Sequence, residues 1–559
     1  MKFAIQYQRA AQALLTIGPL VSLAVSPSTN YDPINLIKLL FATPVAIFVL
    51  ALLASTYKFS VSRLNKPFWI ASFGFLLAMI ATLLFSGAPI DQQFWGMFGR
   101  NTGFLTYFTL LIFLVSCALI QSVDFYHKIV NSLVITAIPM TLYCLIQVAH
   151  MDPVGWSLYA PFGTLGNINF SSAFFGLTSI ACTSLLFEKS ISKFVRISMA
   201  LMVLTDLIIV YTTGSIQGLL VFLAGIGLVI YIYIRKTNTL KKLSIPYVLL
   251  ALGSISLTVI GLANKGPLAK YIFSDTVVFR GDYWHAGWVM TTKHPFFGVG
   301  MDSYGDWYRT YRGLISTTRT TSDRITNTAH NIFLDISSNG GFPLIAAYLA
   351  LTLITLISAI RVIKRSEKFN PYFVALFGTW FGYQIQATIS INQVGVGIWG
   401  WLFSGSIIGY EYATRSNSLG TTNSSGFKNK KKGVTLSAGS GVIAFFGLVV
   451  GFVLAFIPFN ADMKYKSAAQ TREIAKIMDS VNLLGSTAFH MEMALDSAIK
   501  GNLQAQVLEI DNSLINKNKR SFFGWKVRAL LSASTPEDRA KAAEVLRELD
   551  PFNPDILKP

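Results

Sequence analysis

The chain has 559 residues, of which 52% are hydrophobic and only 13% charged, with a mean hydropathy of +0.51 and a formal net charge of +19. Those values exclude an ordinary soluble globular protein. They also exclude a nucleic-acid binder, because the basic residues fall on alternate connections between apolar runs and form no single patch.

Apolar runs of about 17 to 25 residues, the length that crosses the hydrocarbon core as a helix, recur at 11–26, 35–54, 68–86, 102–121, 129–148, 169–187, 194–211, 216–234, 244–263, 340–360, 371–389, 394–410 and 436–457. The expected fold class is therefore all-α, a polytopic membrane protein of about thirteen transmembrane helices, since lipid satisfies no free backbone group. The first run follows Lys2 and Arg9 as a signal peptide would, but Ala24-Val25-Ser26 runs into Pro27, a poor cleavage site, so it reads as a retained span. Lys58, Arg63, Lys66, Lys128, Lys189, Lys193, Arg196, Arg235, Lys236, Lys241, Lys242, Arg361, Lys364, Arg365 and Lys368 occupy every second connection, as do Arg415, Lys428, Lys430, Lys431 and Lys432. The short intervening connections hold little positive charge beyond Arg100. By the positive-inside rule the N-terminus is cytoplasmic and, after thirteen crossings, the C-terminus is outside. Cys117, Cys144 and Cys182 lie inside apolar runs and read as small core residues.

Three stretches break the membrane pattern. The segment 264–330 is expected on the outer side and carries eight Lys/Arg against five Asp. A Ser/Asn/Gly/Lys connection at 412–434 reads as a flexible cytoplasmic loop, and a polar tail at 460–559 reads as a small helical extracytoplasmic domain following a membrane domain at 1–457. In the tail, Thr535-Pro536-Glu537-Asp538 is a helix start, with a capping hydroxyl and Pro in the first turn. The apolar stripe Ala540, Ala542, Ala543, Val545, Leu546 and Leu549 then ends at Asp550-Pro551. This loosely resembles the closing helix of a tetratricopeptide-type repeat.

Chemistry is expected in the 264–330 loop. Arg280 and Trp284 are four residues apart, on one face if the stretch is helical. Such a face suits the membrane interface, where Trp anchors to lipid. It equally suits a lipid-borne pyrophosphate, for which guanidinium supplies a planar, permanently charged fork of donors. His330, followed by Asn331, stands where the loop re-enters the membrane. A histidine there is either an amphipathic end-cap or a base for an acceptor hydroxyl.

In order and spacing, Arg280-x-x-x-Trp284, His294-Pro295-Phe296-Phe297-Gly298-Val299-Gly300, Ala329-His330-Asn331 and Gly340-Gly341 resemble the shared core of the O-antigen ligase and polymerase superfamily. Gly99-Arg100-Asn101-Thr102-Gly103 and Gly163-Thr164-Leu165-Gly166-Asn167-Ile168-Asn169 extend the resemblance over roughly residues 95–410. It implies a C-type glycosyltransferase fold that moves a glycan from a polyprenyl pyrophosphate carrier to an acceptor hydroxyl on the outer face of the bacterial cytoplasmic membrane. No cofactor, metal or nucleotide sugar is implied. His330 would be the base and Arg280 would steady the departing pyrophosphate, with inversion at the anomeric carbon. Trp284, Asn331, Asn167, Asn169 and Gln217 become candidates for contacts to the pyrophosphate or glycan.

One motif departs from the family. Where many members have Ser-Arg-Gly this chain reads Gly214-Ser215-Ile216-Gln217-Gly218, which leaves Arg100, Arg312, Arg319 or Arg324 to supply the missing guanidinium. The acceptor stays open among another carrier-linked repeat, a lipid or wall glycan, and a protein hydroxyl. A lipid-linked glycan transporter is the alternative, and it would be expected to place charges along its helices.

Overall fold

The computed structural model describes residues 3–157, 160–319, 321–418 and 438–557. Among them all regular structure is helical. Each of the thirteen apolar runs coincides with a helix, numbered here α1 (Phe3–Leu23), α2 (Asn35–Ala54), α3 (Lys66–Phe85), α4 (Phe104–Ile120), α5 (Val123–Val148), α6 (Ile168–Leu185), α7 (Lys193–Thr212), α8 (Ile216–Lys236), α9 (Ser244–Leu262), α10 (Ile332–Arg365), α11 (Pro371–Ile389), α12 (Val394–Ser418) and α13 (Ala438–Thr471). The larger part of the connection expected at 412–434 lies outside the described residues, while its first residues extend α12.

Nine of these helices among the described residues are long and apolar enough to cross a membrane. The other four, α1, α4, α11 and α12, are shorter or more polar for a physical reason. Residues of α11 and α12 are buried almost throughout, so they meet protein and tolerate polar groups that bond within the bundle. Trp380 Nε1 donates to Ser404 Oγ at 2.8 Å, and Trp399 Nε1 donates to Ser22 Oγ of α1 at 2.9 Å. Lys38 and Asp206 sit inside spans, and each is satisfied locally. Lys38 Nζ donates to the carbonyls of Ser22 and Ala24 at 3.1 and 2.9 Å, and Asp206 accepts from the hydroxyls of Thr141 and Thr178 at 2.7 and 2.8 Å.

Side chains cap the helix starts, where backbone N–H groups lack intrahelical partners. Asn65, Ser122, Ser192 and Asn370 cap at one end of the bundle, and Asn167, Ser215 and Asn331 at the other. The second end carries the connections 24–34, 86–103, 149–167, 213–215, 263–331 and 390–393, together with the tail. Cross-links confirm the grouping: Asn35 Nδ2 donates to the Gly99 carbonyl at 3.0 Å and Gln92 Nε2 to Asp306 at 2.8 Å.

The long helix α13 lies along α2 and continues without a break past 457 to Thr471. Its Asp462 accepts from the backbone N–H groups of Tyr31 and Asp32 at 2.7 and 3.1 Å and pairs with His490 Nε2 at 3.0 Å, which fixes the first site-end connection to the tail. The tail then runs through helices Ile474–Val481, Ala488–Lys500, Gln504–Lys517, Phe522–Leu530 and Pro536–Leu549. Thr535 caps the last of these by accepting from the Asp538 N–H, and Ala542, Leu546 and Leu549 pack on Trp525.

Candidate active site

Three segments meet at the site end. The motif 294–300 lies against the break in α10: the Phe342 N–H donates to the Pro295 carbonyl at 2.7 Å, Val299 to Ser338 at 2.8 Å and Gly300 to Asn339 at 3.0 Å. Gly341 stands at φ +70°, and a Cβ there would strike Pro295, so glycine is required by conformation and by space. This seam fixes the start of α10, and with it His330 and Asn331.

Two buried aspartates hold the neighbouring loops. Asp302 accepts from the backbone N–H groups of Met97 and Thr102 at 2.7 and 3.0 Å and from the Thr102 hydroxyl at 3.0 Å, shaping the turn that presents Arg100. Burial pushes the Asp302 carboxyl up, while these hydrogen bonds and Arg100 pull it back. Asp335 accepts from the Ala329 N–H at 2.6 Å, and Asn331 Oδ1 caps α10 by accepting from Phe333 and Leu334. Asn101, Asp302 and His330 all stand in the left-handed region, at φ +52°, +53° and +53°. Those residue types tolerate it best, and such conformations cluster at functional sites.

His330 is half-buried, its ring stacked on Tyr283 at 5.3 Å between centroids. Among the described residues neither of its ring nitrogens has a hydrogen-bond partner. Burial lowers its pKa, and the positive charges of Arg100 and Arg280 lower it further, to about 4. Both arginines therefore lie close enough to act on this imidazole, which is neutral at pH 7. Arg100 Nε donates to Asn327 Oδ1 at 3.2 Å. Arg280, on the helix Asp275–Lys293, makes no ion pair or hydrogen bond among the described residues, and burial lowers its pKa. Helix α10 starts at Ile332, just after His330 and Asn331, and α4 starts at Phe104, four residues after Arg100, so the positive ends of two helix dipoles lie at this end of the bundle.

The remaining candidates separate. Arg319 pairs with Asp282 at 3.2 Å, and the Arg324 guanidinium lies 3.4 Å over the Phe279 ring, both beside the helix of Arg280. Arg312 is elsewhere and already committed. It is fully buried, grips Asp550 of the tail with its closest contact at 2.6 Å and donates to the carbonyls of Ser322 and Arg324, so its guanidinium is not available to a phosphate. Trp284 is 38% exposed, one helical turn before the exposed Trp288, an apolar face suited to a lipid interface. Asn167, Asn169 and Gln217 form another group at the same end: Asn167 caps α6, Asn169 Oδ1 accepts from Ser215 Oγ at 2.7 Å, and Gln217 Nε2 donates to the Ile389 carbonyl at 3.4 Å. His294 bonds Tyr311 at 2.9 Å and His285 is exposed. Among the described residues no group of three or more His, Cys, Asp or Glu is placed to hold a metal ion.

Tyr283, Asp302, Asn327 and Asp335 escaped the sequence reading. The available signal was weak: Asp302 directly follows the 294–300 motif, and Asp335 is the lone acid in the first turn of an apolar helix.

Fold and site together define a polytopic all-α membrane protein whose conspicuous centre is an imidazole flanked by two arginines at one end of the bundle. A family model described as O-antigen ligase matches residues 200–349, a stretch that contains Gln217, Arg280, His330 and the Gly340-Gly341 break and leaves out Arg100, Asn167 and Asn169. Over this stretch the chain is similar to the O-antigen ligase family, a likeness that supports a part in glycan transfer for cell-envelope polysaccharide assembly. No curated protein matches the chain.

Proposed function

We propose that this protein transfers a glycan from a polyprenyl diphosphate carrier to an acceptor hydroxyl at the outer face of the cytoplasmic membrane. The site end is then extracytoplasmic, as is the tail from 460, and the lysine- and arginine-rich connections at the other end face the cytoplasm. The observation that carries the reading is the meeting of a neutral His330 with Arg100 and with an Arg280 that has no ion pair or hydrogen bond among the described residues. A diphosphate needs fixed cations, and an acceptor hydroxyl needs a base that is unprotonated near neutrality.

In the reaction the acceptor oxygen bonds to the anomeric carbon while its proton passes to His330. The bond from that carbon to the diphosphate oxygen breaks, and the diphosphate leaves with the electron pair. Attack opposite the leaving group inverts the anomeric centre. Arg280 and Arg100 stabilise the charge that develops on the leaving oxygens, in a half-buried place where such contacts count for more than in water. No ATP is needed, because the diphosphate already activates the sugar.

Arg280→Ala is expected to abolish transfer in membranes while leaving the protein inserted. Arg280→Lys should rescue poorly, because an ammonium keeps the charge and loses the two-pronged geometry. Full activity in Arg280→Lys would mean that Arg280 merely anchors the loop to lipid headgroups.

A further inference from the structure

The site end contains a second set of polar side chains that the protein leaves unsatisfied. Gln217 Oε1, Gln386 Oε1 and the Tyr383 hydroxyl are buried and have no hydrogen-bond partner among the described residues, and the Asn392 amide has none beyond a marginal contact with the Tyr107 hydroxyl. They are neighbours. Gln217 reaches the Ile389 carbonyl, one turn after Gln386 and three residues before Asn392, and Asn392 and the Tyr383 hydroxyl both lie against Gly397. A polar seam joins this set to the arginine site: Gln393 Nε2 donates to Asn35 Oδ1 at 3.4 Å, and Asn35 Nδ2 donates to the carbonyl of Gly99, the residue before Arg100.

Buried polar atoms are nearly always paired, because an unpaired one loses its hydration and gains nothing. Other buried polar atoms among the described residues also lack a partner, Gln6 Oε1 and Gln384 Oε1 among them, but this set brings several together beside the arginine site, and they are groups awaiting a partner. The set is neutral, and each amide both donates and accepts. Such a set does not select phosphate; it matches vicinal hydroxyl groups, which also donate and accept.

We propose that Gln217, Gln386 and Asn392 form a sugar subsite that binds hydroxyl groups of the glycan beside the arginine site. The assignment rests on the glycan-transfer reading above and names what lies next to the diphosphate. Gln217, where many relatives carry an arginine, then serves the sugar and not the phosphate.

The test uses the full chain in lipid nanodiscs with two probes: polyprenyl diphosphate without sugar, and carrier-linked glycan extracted from the same membranes. Single variants Gln386→Met, Gln217→Met and Asn392→Leu remove the amides at nearly constant volume, and each is checked for insertion and thermal stability; should one not fold, the other two carry the test. Each is expected to weaken glycan-linked donor binding, or to raise KM for the acceptor glycan, by about tenfold, with binding of the sugar-free diphosphate unchanged. A shift in donor binding assigns the subsite to the donor sugar; a shift in acceptor KM alone assigns it to the acceptor. Unchanged values for both glycans overturn the subsite while leaving the transfer reading intact. A wild-type protein that binds neither probe overturns both.

Discussion

Asp550 is the point at which the tail grips the outer loop, and its removal should be felt at His330. Its carboxylate takes Arg312 Nε at 3.2 Å and Nη2 at 2.6 Å, and Arg309 Nη1 at 3.0 Å, and the carboxylate and the Arg312 side chain are completely buried. An exposed pair of this kind contributes about 0 to 1 kcal/mol. Breaking a buried one by deleting a single partner costs about 3 to 5 kcal/mol, because an uncompensated charge stays behind. In Asp550→Ala the Arg312 guanidinium keeps only the carbonyls of Ser322 and Arg324, so the upper range applies. A loss of about 4 kcal/mol corresponds to a factor of about 10³ in the docking equilibrium. The helix Tyr304–Tyr311 is held from the tail side by Arg520, which donates to the Asp306 carbonyl at 3.1 Å and covers Trp307, and from the other side it props Tyr283 through Tyr304 Oη at 2.6 Å. Tyr283 in turn supports the His330 ring. Asp550→Ala should therefore open residues 304–324 to limited proteolysis in membranes and lower turnover, and Asp550→Glu should restore part of both. Wild-type protease resistance and turnover in Asp550→Ala would refute the reasoning and reduce this contact to a dispensable one.

Further outcomes follow from the site's charge and from the topology. With His330 depressed to about 4 from an ordinary value near 6.5, the acid limb of kcat/KM should fall well below pH 6.5; removing a neighbouring cation in Arg100→Gln should move that limb upward, and an unmoved limb would separate Arg100 from His330. Accessibility tags at 238, 366 and 425 should report cytoplasm and tags at 315 and 500 should report outside, so a cytoplasmic tag at 500 would break the proposed placement of the tail.

Much of the fold was legible in the sequence, because spans are written in uninterrupted hydropathy: all thirteen runs coincide with helices, and Thr535 caps where its sequence places it. Helix ends were less legible. Residues 458–471 of α13 are largely polar, and what keeps them helical is tertiary, the bonds of Asp462 to the 31–32 backbone and of Lys466 to the carbonyls of Pro27 and Asn30. The site was half legible. Arg280 and His330 stand in local motifs, whereas the sequence left four arginines open as the second cation, and it is the structure that sets Arg100 beside this imidazole. Arg312 shows the limit, since its partner Asp550 is 238 residues away and no local pattern announces that pairing. Asp302 and Asp335 act through backbone N–H groups of other segments, and a contact to a backbone leaves no trace in residue type.

The most direct test of the proposed chemistry is single-turnover consumption of carrier-linked glycan by the full chain and by His330→Ala, with donor binding measured on the same samples. General-base catalysis contributes about 10² to 10⁴ in rate, and the phosphate contacts belong to the arginines. His330→Ala should thus lose turnover by that factor and bind donor almost as the wild type does, while His285→Ala and His294→Ala stay mild. Near-normal turnover in His330→Ala, or a loss of donor binding as severe as that of Arg280→Ala, would contradict the assignment of His330 as the base.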